Sequence, residues 1–88
     1  MLTLAKAAAL AGGQLQGADA TLLRVVTDSR EVQAGDLFVA LKGDRFDAHD
    51  FVPSVLAKGA FAMVREDYPH AGEGSLIRVA DPRLAMGS

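Results

Sequence analysis

The stretch Ala34-Gly35-Asp36-Leu37-Phe38-Val39-Ala40-Leu41-Lys42-Gly43 decides the fold. Its centre, Leu37 to Leu41, is a continuous apolar run, long enough for a strand buried on both faces. The turn Ala34-Gly35-Asp36 leads into it, and a polar loop from Lys42 to Asp50 leads out. Ala60 to Val64 is another buried-strand candidate, and Leu76 to Ala80 reads as a last strand. Upstream, Leu22 to Thr27 is rich in β-branched and aliphatic residues and reads as another strand. Gln14-Leu15-Gln16 reads as a short strand before the turn Gly17-Ala18-Asp19-Ala20. Between these strands lie helical segments. Thr3 is placed to cap a helix through Ala11, with Leu4, Ala7, Ala8 and Ala11 on one face and Gly12-Gly13 as the left-handed stop. Phe51 to Lys58 reads as a short helix, with Asp50 as N-cap, Pro53 in the first turn and Gly59 at its end. Asp81-Pro82 opens a third helix through Met86. Arg65 to Ser75, with Pro69, Gly72 and Gly74, reads as a loop. The alternation predicts an α/β fold: a small mixed β-sheet with covering helices.

Composition narrows the class. Eighty-eight residues hold one small domain and one core. Half the residues are hydrophobic and 23% are charged, too apolar for disorder. Nine Lys plus Arg against eleven Asp plus Glu leave no basic surplus for a nucleic-acid backbone. The scattered basic residues and single Tyr offer no aromatic platform for bases. Without cysteine the chain has no disulfide, thiolate metal site or cysteine nucleophile. The apolar run Ala7 to Ala11 is far short of a membrane span or signal peptide. This arithmetic leads to the expectation of a cytoplasmic globular domain with no nucleic-acid or membrane partner.

Chemistry concentrates in two polar segments that follow strands: Thr27-Asp28-Ser29-Arg30 and Lys42-Gly43-Asp44-Arg45-Phe46-Asp47-Ala48-His49-Asp50. In open α/β sheets ligands gather beyond the carboxyl ends of strands. If the two strands are parallel neighbours, both segments share one rim. The first segment brings hydroxyls, a carboxylate and a guanidinium suited to a sugar, base or phosphate. It also suits a turn in which Asp28 caps backbone N–H groups and Arg30 makes a structural ion pair. In the second, His49 with Asp47 and Asp50 suits a metal, His49 alone a general base, and His49 near the helix start a buried or capping residue. Phe46 suits stacking on a planar ligand or plugging the core beneath its loop. There is no G-x-x-x-x-G-K-[ST], G-x-G-x-x-G or G-x-S-x-G, so no known glycine loop for a nucleoside triphosphate is present.

Taken in order, Thr27-Asp28-Ser29-Arg30, Gly35 to Gly43, Arg45-Phe46-Asp47-Ala48-His49-Asp50-Phe51 and Gly59-Ala60 resemble the N-terminal domain of the Mur ligases, which build peptidoglycan precursors. The segment Leu41 to Phe51 is closer to the D-alanyl-D-alanine-adding (MurF) branch than to the MurE branch. Asp81-Pro82-Arg83-Leu84-Ala85 resembles the start of the helix leading to that family's central domain. Nearly the whole chain is covered, and the ordered set is more specific than any one piece.

The resemblance implies a MurE/MurF N-terminal-domain-like fold over residues 1–80, with 81–88 beginning the helix to an absent central ATPase domain. It implies binding of the UDP end of a UDP-N-acetylmuramoyl-peptide. Thr27 and Ser29 match one uridine-contacting stretch, and Asp44, Arg45 and Phe46 the second. Arg30 and Lys42 are placed to approach the diphosphate. ATP and Mg²⁺ belong to the absent central domain, and the central and C-terminal domains are the partners in the same chain. This segment alone would carry substrate recognition and no catalytic residue or metal ligand. The alternatives are a MurE-type domain, in a ligase adding a diamino acid or lysine, and a free-standing binding module. An exposed apolar patch is expected where the central domain would dock.

Overall fold

The computed structural model describes residues 1–70, 72 and 74–87. Five strands form one sheet: β1 Gln14–Gln16, β2 Val25–Val26, β3 Leu37–Val39, β4 Phe61–Arg65 and β5 Leu76–Val79. Their order is β1-β5-β4-β3-β2. Strands β2 to β5 run parallel, and β1 joins β5 antiparallel, which makes the sheet mixed as the sequence predicts. The register sets Phe38 beside Ala62 and Ala62 beside Leu76. One residue on, Val39, Met63 and Ile77 line up likewise.

Because side chains alternate across a strand, these two rows face opposite ways. Phe38, Ala62, Val64 and Leu76 meet Val52 and Val55 of helix α2, Val52–Ala57. Leu37, Val39, Met63, Ile77 and Val79 meet Leu4, Ala7 and Ala8 of helix α1, Leu4–Ala11. That double burial is why β3 reads as an unbroken apolar run. Thr3 caps α1 by accepting from the Lys6 N–H, and Gly12 ends it at φ 72°. Helix α3, Pro82–Gly87, is opened by Asp81, whose carboxylate accepts from the Arg83 N–H at 3.0 Å. Ala85 packs on the same side as α1.

Two local expectations change. The segment from Leu22 to Thr27 pairs as a strand only at Val25–Val26. Its first residues are divided between partners: the Leu22 N–H goes to the Leu2 carbonyl and the Leu23 N–H to the Gly35 carbonyl. The helix at Phe51 is preceded by a 3₁₀ turn over Ala48–Phe51, and Asp47 rather than Asp50 caps it, accepting from the His49 N–H. Asp50 lies inside that turn, its own N–H bound to the Asp47 carbonyl.

Helix α1 lies over β1 and β5 and leaves part of the same sheet face open. There Leu10, Leu22, Val25 and Met63 border an apolar groove of about 290 Å³. Among the described residues, Leu10, Leu23, Val25 and Leu84 are exposed apolar side chains.

Candidate functional site

Since β2 to β5 are parallel, their carboxyl ends meet at one rim. Thr27 follows β2, Ala40 to Lys42 follow β3, Arg65 ends β4, and Ala80-Asp81 follow β5. A cleft of about 460 Å³ opens there, lined by Ala40 to Asp44, His49, Arg65 and Ala80 to Arg83. Strands β2 and β3 are hydrogen-bonded neighbours, so the two polar segments do share the rim.

The loop after β3 is closed on itself. The Gly43 N–H donates to the Phe46 carbonyl at 2.8 Å, and the Ala48 N–H to the Leu41 carbonyl at 3.0 Å. Lys42 and Asp47 face each other in an antiparallel bridge. Lys42 and Asp44 line the cleft, whereas Arg45 and Phe46 sit at the loop tip outside its lining. The Phe46 ring lies against Gly43, where an added Cβ would stand 3.1 Å from ring carbon Cε1. Phe46 is 63% exposed and does not plug the core, so its outer face is open.

His49 resolves into a structural role. It is 7% exposed, and its Nε2 accepts from the Arg65 N–H at 3.0 Å. That leaves Nδ1 as the N–H, which donates to Asp47 Oδ1 at 2.6 Å. The ring therefore ties the loop to β4. Burial opposes the charge on Asp47, but the His49 backbone and ring N–H groups outweigh it and hold the carboxyl below its usual value. Both ring nitrogens are thus engaged. Among the described residues no three His, Cys, Asp or Glu groups are arranged to hold a metal.

The segment after β2 forms a 3₁₀ turn over Ser29–Glu31. Asp28 accepts from the Arg30 N–H at 2.9 Å, and the Arg30 guanidinium grips the same carboxylate with Nε at 3.1 Å and Nη2 at 2.9 Å. This is the capped turn with an ion pair. The Arg30 fork lowers the Asp28 carboxyl from its ordinary value. Thr27 and Ser29 differ: among the described residues neither hydroxyl has a hydrogen-bond partner, and Ser29 is half-buried. Thr27, Ser29 and Arg30 follow β2 on the same rim and do not line the cleft.

Three charged lining residues were given no site role in the sequence: Arg65, Asp81 and Arg83. Arg65 and Asp81 stand at the carboxyl ends of β4 and β5, so the strand-end rule applied to those runs would have found them. A fourth feature lies at the opposite end of β3. Asp36, 1% exposed, accepts from Arg24 Nε at 3.1 Å and Nη2 at 2.6 Å and from the Gln33 N–H at 2.9 Å. Asp36 is thereby committed to the turn before β3.

Comparison with known proteins agrees with this arrangement. The model of the Mur ligase family, catalytic domain, matches residues 21–84. The UDP-N-acetylmuramoyl-tripeptide–D-alanyl-D-alanine ligase of Escherichia coli K12 is 48% identical over 86 residues, 98% of this chain and 19% of that protein. The UDP-N-acetylmuramoyl-L-alanyl-D-glutamate–2,6-diaminopimelate ligase of Geobacter sulfurreducens is 53% identical over 60 residues, 67% of this chain and 12% of that protein. Among solved structures, the UDP-N-acetylmuramoylalanyl-D-glutamyl-2,6-diaminopimelate–D-alanyl-D-alanyl ligase of Acinetobacter baumannii superposes with a TM-score of 0.76 at 39% identity, over 92% of this chain and 19% of that one. The chain thus spans about a fifth of the length of the E. coli and A. baumannii ligases it matches. With the family model covering most of its length and its fold matching a solved ligase, the chain belongs to the Mur ligase family.

Proposed function

We propose that this chain is the UDP-substrate-binding segment of a peptidoglycan-precursor ligase of the D-alanyl-D-alanine-adding type. The observation that carries the reading is the shared rim. Two hydroxyls with no hydrogen-bond partner among the described residues, Thr27 and Ser29, follow β2 on the same rim as the β3 loop that carries Lys42, Asp44, Arg45 and Phe46. Hydroxyls both donate and accept, which suits uracil edges and ribose. The open face of Phe46 suits stacking on a planar ring. Lys42 supplies an exposed cation at the cleft mouth for a diphosphate. Arg30 reaches a phosphate only by exchanging its fork on Asp28 for a new one.

On this reading these residues bind and orient the nucleotide end of UDP-N-acetylmuramoyl-peptide and perform no bond-making step. In the full-length ligase ATP phosphorylates the peptide carboxylate, and the amine of D-alanyl-D-alanine displaces phosphate to form the amide. This chain has no glycine loop suited to ATP, and its described donor groups do not fit a Mg²⁺ site. On this reading ATP and Mg²⁺ belong to the central domain, with residues 1–80 as the binding domain and 81–88 as the lead into that partner. Among the described residues no helix is long and apolar enough to cross a membrane. A charged UDP-linked substrate does not cross a membrane unaided, which supports a cytoplasmic reaction.

The 53% identity to a 2,6-diaminopimelate ligase favours a second reading, a MurE-type ligase. An NMR shift titration of the 88-residue chain with UDP-N-acetylmuramoyl-tripeptide, with UDP alone beside it, tests the shared part. The expected affinity is about millimolar. Saturable shifts at Thr27 to Arg30 and Lys42 to Phe46 support the site; shifts elsewhere refute it. Amide formation by the full-length ligase with D-alanyl-D-alanine or with diaminopimelate then separates the two readings.

A further inference from the structure

We infer that Arg83 is a positioning residue for the loop after β3, which it sets from the first turn of α3. The inference rests on the binding role proposed above. The Arg83 guanidinium crosses the cleft and donates through Nη2 to the Lys42 carbonyl at 3.0 Å, joining residues 41 positions apart. Among the described residues no backbone N–H takes that carbonyl. The next N–H in the chain, that of Gly43, belongs to the same peptide unit and donates to the Phe46 carbonyl at 2.8 Å. The Lys42–Gly43 peptide plane is therefore held at both ends, by Arg83 on its oxygen and by the loop on its nitrogen. That plane sets where the Lys42 side chain leaves the backbone and how Asp44 enters the cleft.

The anchor is itself fixed. Pro82 is buried, and the Asp81 carboxylate holds the Arg83 N–H at 3.0 Å. His49 ties the far end of the same loop to β4 through the Arg65 N–H. The loop thus has one anchor within the sheet and one on α3. A glycine inside such a loop offers little backbone resistance to rotation, so loss of the α3 anchor frees the peptide plane. An exposed arginine bond of this kind contributes little to global stability, which makes positioning separable from folding.

The test uses the 88-residue chain, with Arg83→Ala and Arg83→Lys beside the unaltered sequence. Amide hydrogen exchange at Gly43, melting temperature and the UDP shift titration are read for each. In Arg83→Ala, Gly43 exchange is expected to accelerate, and UDP affinity to fall, by at least about threefold, with the melting temperature unchanged. Arg83→Lys, which retains a cationic donor, is expected to restore most of both. Unchanged Gly43 exchange in Arg83→Ala overturns the inference. So does faster exchange throughout β3 and β4 with a lowered melting temperature that lysine does not rescue, because that marks a purely structural residue. If the unaltered chain shows no saturable UDP shifts, the binding role fails and the positioning role with it. Gly43 exchange still decides in that case whether the clamp exists.

Discussion

Asp36→Asn probes the buried carboxylate before β3. The change preserves shape and removes the charge. Asp36 is 1% exposed and accepts three hydrogen bonds, two from the Arg24 fork and one from the Gln33 N–H. An asparagine oxygen replaces one carboxylate oxygen, while its NH₂ turns a donor toward a donor. Breaking a fully buried ion pair costs about 3–5 kcal/mol. The Arg24 side chain is 50% exposed and regains water, so the expected loss at neutral pH is about 2 kcal/mol. For a chain of this size that lowers the melting temperature by about 8–16 °C. The Arg24 hydrogen bonds hold the Asp36 carboxyl below its ordinary value. Its contribution is then complete above the unfolded-state value of about 3.9 and is lost as pH falls through the lower folded-state value. Urea unfolding of both proteins at a series of pH values measures this. The gap should be constant at neutral pH and close in acid. Equal midpoints at pH 7, or a gap that persists undiminished to the acid limit, would refute the reasoning.

Three further outcomes follow from the geometry. Phe38→Ala removes the ring that stands in register with Ala62 against α2, and urea unfolding should show a loss of about 3–5 kcal/mol. Gly13→Ala would drive a Cβ into the Arg78 carbonyl oxygen of β5; overpacking against backbone should cost about 3 kcal/mol in the same assay. Ser29→Ala removes a hydroxyl with no partner among the described residues, so titration should show weaker UDP binding while the melting temperature stays within about 2 °C, and a matching fall in both would make Ser29 structural.

The parts of the fold legible in the sequence are those set by near neighbours. The Thr3 cap, the Gly12 stop and the Asp81-Pro82 opening each depend on residues within a turn, and each stands where its pattern predicts. Misplacement occurred where two local solutions compete. Asp47 and Asp50 both suit a cap, and Asp47 prevails because His49 binds it through ring and backbone at once. The Leu22 to Thr27 run has strand composition throughout, yet Leu22 bonds to Leu2 before α1 and Leu23 to Gly35 in the turn before β3, which no pattern within the run reveals.

By itself the sequence determined the strand and helix alternation, the double burial of β3, the family resemblance and the two polar segments after strands. Those rest on periodicity, chain stiffness and motif order, which are properties of short stretches. Only the tertiary structure decided that β2 and β3 are parallel neighbours, bringing Ser29 and Lys42 to one rim. It alone left Phe46 open, committed His49 to Asp47 and Arg65, and carried Arg83 across to the Lys42 carbonyl. The reason is that hydrogen bonds and ion pairs act over a few ångströms. Which distant residues come that close depends on the register and packing of the sheet as a whole.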